Sequence, residues 1–127
     1  MRQTIATDAA PGAVGPYSQA VRAGEYLFIS GQLGIDPATG ELGGTLREQT
    51  ERALDNLKAI VEAAGGSMGS IVKTTVLLDS IDDFKEMNGV YAGFFPKDPP
   101  ARAAFEVAAL PLGALVEIEA VACLAAD

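Results

Sequence analysis

The chain has 127 residues, 17 acidic and 9 basic side chains, no histidine and one cysteine, for a net charge of −8. This length carries one domain with one core, spanning 1–127, and the apolar share of 49% excludes a disordered chain. No apolar run approaches the ~18 residues of a membrane span, and the start, MRQTIATDAAPG, has no basic-then-apolar signal segment, so a cytosolic location is expected.

Residues 2–7 alternate weakly and read as a first strand. Asp8 to Pro16, DAAPGAVGP, is rich in breakers and reads as loop. Tyr17 to Val21 is a short extended run. Arg22-Ala23-Gly24-Glu25 then turns into Tyr26-Leu27-Phe28-Ile29-Ser30, a strand of β-favouring residues. A Ser-Gly pair, Ser30-Gly31, ends that strand. Such a pair can offer a hydroxyl and exposed backbone to a ligand, although a plain strand-ending turn is the commoner meaning. Asp36-Pro37-Ala38-Thr39-Gly40 is a further turn.

Thr45-Leu46-Arg47-Glu48 matches a capping box and opens a helix. Its apolar stripe is Leu46, Thr50, Ala53, Leu54, Leu57, Ile60, Val61 and Ala64, and Gly65-Gly66 ends it. Ile71 to Leu78, IVKTTVLL, is β-branched and reads as a central strand. Ser80-Ile81-Asp82-Asp83 caps a second helix of similar length, and this placement suits Asp82 and Asp83 better than a metal site does. The second stripe is Ile81, Phe84, Asn88, Tyr91 and Phe95. Asn88 is its odd member, because an amide on an apolar stripe needs a partner, in a neighbouring loop or in a site. The proline-rich segment Phe94 to Pro100 stops the helix.

The segment from Pro99 to Ala122 holds two short apolar runs around Leu110-Pro111-Leu112-Gly113. In the first, Arg102, Ala104 and Glu106 share one parity and Ala103, Phe105 and Val107 the other. In the second, Glu117 and Glu119 alternate with Val116, Ile118, Ala120 and Ala122. If the runs pair as a hairpin, Arg102 and both glutamates share a face. That arrangement suits a small anionic substrate and a water, and it equally describes a solvated face with an ordinary ion pair. Cys123 ends the second run and reads as a buried, inert thiol.

The element order predicts an α+β domain, one mixed β-sheet with two helices packed on one face. The other sheet face, holding Arg102, Glu117 and Glu119, is then uncovered, which points to a homo-oligomer with sites between subunits. Without histidine the commonest general base, nucleophile pairs and metal ligand are absent. The acidic balance and thinly spread basic residues disfavour nucleic-acid backbones.

Together, several segments resemble the Rid family of reactive intermediate deaminases, also called the YjgF family, over essentially the whole chain. They include Ala13-Val14-Gly15-Pro16-Tyr17-Ser18-Gln19-Ala20, Ile29-Ser30-Gly31-Gln32, Leu54-Asp55-Asn56-Leu57-Lys58-Ala59-Ile60, Met87-Asn88, Pro100-Ala101-Arg102, Leu110-Pro111 and Glu117-Ile118-Glu119-Ala120. The resemblance implies a chorismate-mutase-like α+β fold assembling as a homotrimer with clefts between subunits. It implies a 2-iminobutanoate/2-iminopropanoate deaminase that hydrolyses enamine/imine intermediates to 2-oxo acids and ammonia without cofactor or metal. By the same resemblance Arg102 and Glu117 are catalytic, Arg102 holding the substrate carboxylate and Glu117 directing water. Ser30, Gly31, Tyr17, Asn88 and Tyr91 line the cleft, and the Ala104 N–H donates to the carboxylate.

Two departures stand out. Ala103-Ala104 occupies positions where many active relatives have Ser-Cys, and the Phe95-to-Arg102 connection is shorter than in some members. The alternatives are a non-catalytic 2-oxo acid binding protein and, against the charge balance, an endoribonuclease.

Overall fold

The computed structural model describes residues 2–125. In chain order the elements are β1 (Arg2–Ile5), β2 (Ala20–Ala23), β3 (Tyr26–Leu33), α1 (Leu46–Ala63), β4 (Ile71–Leu78), α2 (Phe84–Phe94), β5 (Ala101–Glu106) and β6 (Val116–Cys123). Among the described residues, six strands form one mixed sheet ordered β1-β2-β3-β6-β4-β5. β4 and β5 run parallel and the other neighbours antiparallel. No helix of the described residues is long and apolar enough to cross a membrane.

One sheet face is a continuous apolar surface. It carries Leu27 and Ile29 of β3, Val76 and Leu78 of β4, and Val116, Ile118, Ala120 and Ala122 of β6, all buried. α1 covers it with Leu46, Ala53, Leu54, Leu57, Ile60 and Val61, and α2 adds Met87, Tyr91 and Phe95. Each large side chain buried here contributes about 1.5–3 kcal/mol, so the pattern also fixes register. A one-residue slip of β6 would send Glu117 and Glu119 into the core.

Buried polar groups of α1 hold the loop after β3. Asn56 donates to the Leu33 and Ile35 carbonyls at 3.1 and 3.0 Å. Gln49 donates to the Gly43 carbonyl at 2.8 Å and accepts from the Leu115 N–H at 2.7 Å. Gln49→Ala leaves both backbone groups unpaired and is expected to cost about 1–3 kcal/mol in urea unfolding. A loss near zero would mean that water replaces the amide.

Several details differ from the sequence expectation. α1 has 18 residues and α2 only 11, preceded by a 3-10 turn at Ile81–Asp83, so the helices are not of similar length. Ile81 lies exposed on that turn, and the buried face of α2 is centred on Met87, Val90 and Tyr91. β2 begins at Ala20, leaving Tyr17 to Gln19 in the loop. Cys123 is half-buried and free. Ser30-Gly31 does not end β3. The strand continues to Leu33, with a bulge between the pairs Ile29–Ala120 and Gln32–Ile118.

The largest correction concerns β5 and β6. They do not form a hairpin, because β4 lies between them. Arg102 pairs in register with Thr74, whereas Glu117 and Glu119 pair with Leu77 and Thr75. Partners in register share a face, so Arg102 points to the helix side with buried Thr74, and the two glutamates point to the uncovered side. The uncovered face is real, but Arg102 is not on it.

Candidate active site

The acidic half of the site is built at the β3 bulge. Ser30 and Gly31 stand opposite the single residue Glu119, an arrangement that kinks a strand and re-aims its neighbours. The bulge brings Gly31 under the Glu117 side chain. A Cβ at Gly31 would overlap Glu117 Oε2 and lie 2.9 Å from its Cδ, so only glycine leaves room for the carboxylate in this position. The Ser30 hydroxyl donates to the Ser18 carbonyl at 2.6 Å. Buried Gln19 pins the loop before β2, donating to the Thr7 and Pro11 carbonyls at 3.0 and 2.8 Å and accepting from the Thr7 N–H at 2.7 Å. These groups, with Tyr17 and Glu119, line a cleft of about 820 Å³ on the uncovered side.

Burial raises the Glu117 carboxyl above its ordinary value of 4.5, and the neighbouring Glu119 charge adds to the rise. This makes Glu117 a stronger base toward a bound water. It also has a stability consequence. A carboxyl raised on folding favours the folded state while protonated. That contribution is whole below 4.5 and is lost as pH climbs through the raised folded value. Glu117→Gln is therefore expected to melt higher than wild type at pH 7 and together with it at pH 4. Equal differences at both pH values in a melting series would contradict this linkage.

The cationic half lies on the other side of the sheet, where α2 overhangs β5. Arg102 donates through Nη1 to Asn88 Oδ1 at 2.6 Å. Its guanidinium carbon sits 4.9 Å from the Tyr91 ring centroid and 5.3 Å from that of Phe84, distances at which a ring face attracts a cation. The Tyr91 hydroxyl bonds Thr74 Oγ1 at 2.7 Å, which fixes the ring beneath the arginine. Burial raises the Tyr91 phenol, against smaller opposing effects of that hydrogen bond and of Arg102. Asn88, Tyr91, Phe95, Pro99, Pro100 and Arg102 border a second cleft of about 480 Å³.

β5 is an edge strand. The Val107 N–H donates to the Leu78 carbonyl, so by alternation the N–H groups of Arg102 and Ala104 point to the free edge. An anion held by the guanidinium thus meets a backbone donor beside it.

Two clusters result. Tyr17, Ser30, Gly31 and Glu117 meet at one cleft, and Asn88, Tyr91 and Arg102 meet at the other, with Ala104 two residues beyond Arg102 on β5 and not among the residues lining that cleft. Within one chain the sheet separates them. Sequence reasoning missed Gln19, Gln49 and Asn56, which hold the loops of the first cleft, and Thr74, which holds Tyr91. An amide or hydroxyl inside an amphipathic pattern was the available signal, as it was for Asn88. No cluster of metal-ligating side chains occurs among the described residues.

A six-stranded mixed sheet with two helices on one face, an acid-lined cleft on the other and an arginine at the sheet edge is the L-PSP-type α+β fold. The chain belongs to the family described as endoribonuclease L-PSP, whose model matches residues 7–124, the family of YjgF, RidA and RutC. It is 58% identical over 125 residues to RutC family protein y4sK of Sinorhizobium fredii, covering 98% of this chain and 99% of that protein. It is 50% identical to the human protein named 2-iminobutanoate/2-iminopropanoate deaminase, covering 96% and 90%. The crystal structure of RidA from the Antarctic bacterium Psychrobacter sp. PAMC 21119 superposes with a TM-score of 0.93 at 51% identity, covering 95% of this chain and 98% of that one.

Proposed function

We propose that the protein is a cofactor-independent 2-imino acid deaminase whose active site is shared between two copies of the chain. The observation that carries this reading is the placement of Arg102 and Glu117 on opposite sides of one sheet. One copy would supply Arg102 and the Ala104 N–H, and its neighbour Glu117, Gly31, Ser30 and Tyr17. Such a contact joins two different surfaces and closes as a ring, here a homotrimer. The half-exposed Tyr26, Phe28 and Phe105 give the contact an apolar surface.

The chemistry follows from these groups. Arg102 keeps donors free beyond its bond to Asn88, and with the Ala104 N–H they grip the substrate carboxylate. This sets C2 of the imine against a water held by Glu117. The Ser30 oxygen, whose proton is given to Ser18, accepts from the iminium N–H. Water adds to C2 as Glu117 takes its proton. Glu117 then returns that proton to the nitrogen and accepts the proton of the new hydroxyl as the C–N bond breaks, so ammonia leaves a 2-oxo acid and the proton passes on to solvent or the ammonia. The chain's relatives named imine deaminases support the same reaction class.

The test is a coupled assay. A serine/threonine dehydratase generates the 2-imino acid, and its conversion to 2-oxo acid is followed with and without the protein. Acceleration is expected. None across several dehydratase substrates, with the protein folded and oligomeric, would overturn the reading.

A further inference from the structure

The turn before β6 carries a strained leucine. Leu112 adopts φ 60° and ψ 19° within the 3-10 turn Pro111–Gly113. A bulky aliphatic residue rarely takes this left-handed conformation, which costs roughly 1–3 kcal/mol. Packing does not offset the cost, because Leu112 is 73% exposed in the isolated chain. Its position is specific nonetheless, since it lines the same cleft as Glu117. Val14, from the loop before β2, lines that cleft too and is 95% exposed. Leu33, Ile35 and Pro37 extend the apolar wall.

The hydrolysis does not use this wall. Arg102 takes the carboxylate, Ser30 the nitrogen, and Glu117 the water that attacks C2. With those directions set, the remaining substituent on C2 is the substrate side chain, and the apolar wall is the surface left to receive it. We propose that Leu112, with Val14, is a specificity determinant that makes the site favour 2-imino acids with side chains of leucine or methionine size over those with methyl or ethyl groups. The proposal rests on the 2-imino acid reading above, and it names the substrate class within it.

The experiment compares wild type, Leu112→Asn and Leu112→Gly. Asparagine tolerates the left-handed backbone and keeps the same branched heavy-atom shape but is smaller and polar, and glycine removes both side chain and strain. Imino acids are generated from leucine and from alanine by an amino-acid oxidase, and kcat/KM is measured for each. In wild type the leucine-derived substrate is expected to be favoured by about tenfold, and in both variants the ratio should fall toward one. A ratio unchanged in both variants, or near one in wild type, would overturn the role of Leu112 and leave the deaminase standing.

Calorimetric titration with 4-methyl-2-oxopentanoate and with pyruvate reads the same preference without turnover. Tighter binding of the branched acid, lost in Leu112→Asn, in a wild type that hydrolyses nothing would support side-chain selection and overturn the deaminase. Neither binding nor turnover would overturn both.

Discussion

Arg102→Ala and Glu117→Ala are each expected to lose at least about a hundredfold in kcat/KM on a 2-imino acid, yet chains of both kinds assembled together should recover about a quarter of wild-type activity. The recovery follows from the sheet geometry. If each site takes Arg102 from one copy and Glu117 from the next, random assembly of the two variants builds some sites with both residues intact. If both residues came from one chain, mixing would restore nothing. Co-expression with two affinity tags and purification through both isolates the mixed oligomers, and since a mixed trimer would keep one intact site of its three, these should show about a third of wild-type activity, against about a quarter for the unfractionated random mixture. The single variants should also differ in kind. Losing the carboxylate anchor raises KM, whereas losing the water-directing group lowers kcat. Arg102→Lys should not rescue, because an ammonium cannot bond Asn88, stack on Tyr91 and grip a carboxylate at once. Mixed oligomers no more active than the variants would show that the site is not shared.

Gly31→Ala and Gly34→Ala are expected to fail in opposite ways, although only two residues separate them. A Cβ at Gly34 would overlap the Gln49 Cα and carbonyl oxygen, with the carbonyl carbon at 2.7 Å. These are main-chain atoms of α1, which cannot rotate aside, so the helix must lift from the sheet. A loss of about 3 kcal/mol or more is expected in chemical denaturation. At Gly31 the obstructed atoms belong to the Glu117 side chain alone. The carboxylate can swing clear, so stability should change by less than about 1 kcal/mol. Activity should fall by about a hundredfold, because a displacement near 1 Å of an aligned group costs that much. Gly31→Ala retaining full activity would mean that Glu117 need not sit over the bulge. Gly34→Ala at wild-type stability would mean that α1 shifts without loss.

Much of the architecture was legible in local pattern. Thr45 to Glu48 announced α1, and the Thr45 hydroxyl does accept from the Glu48 N–H at 3.2 Å. The apolar run IVKTTVLL is β4 from Ile71 to Leu78. The alternation of glutamates along β6 placed Glu117 and Glu119 on a wet face, opposite Val116, Ile118, Ala120 and Ala122. Each of these depends on interactions within about a turn of helix or along one strand, which spacing records directly. Asn88 was marked as an amide in need of a partner, and the partner is Arg102.

The sequence by itself therefore determined the order of the elements, the apolar side of α1, β4 and β6, and the lack of a histidine base, and it offered Arg102 and Glu117 as candidates for holding an acid and a water. The tertiary structure alone decided how those residues group. Parity along a strand sorts its residues into two faces, but parities on different strands cannot be compared until neighbours and register are known. β4 inserts between β5 and β6, and this long-range choice puts Arg102 beneath α2 and Glu117 on the open face. The bulge at Ser30-Gly31 adds a residue opposite Glu119, which reverses the parity of the rest of β3 and opens the space that Glu117 fills. Both outcomes come from contacts between residues far apart in the chain, and no local pattern encodes them.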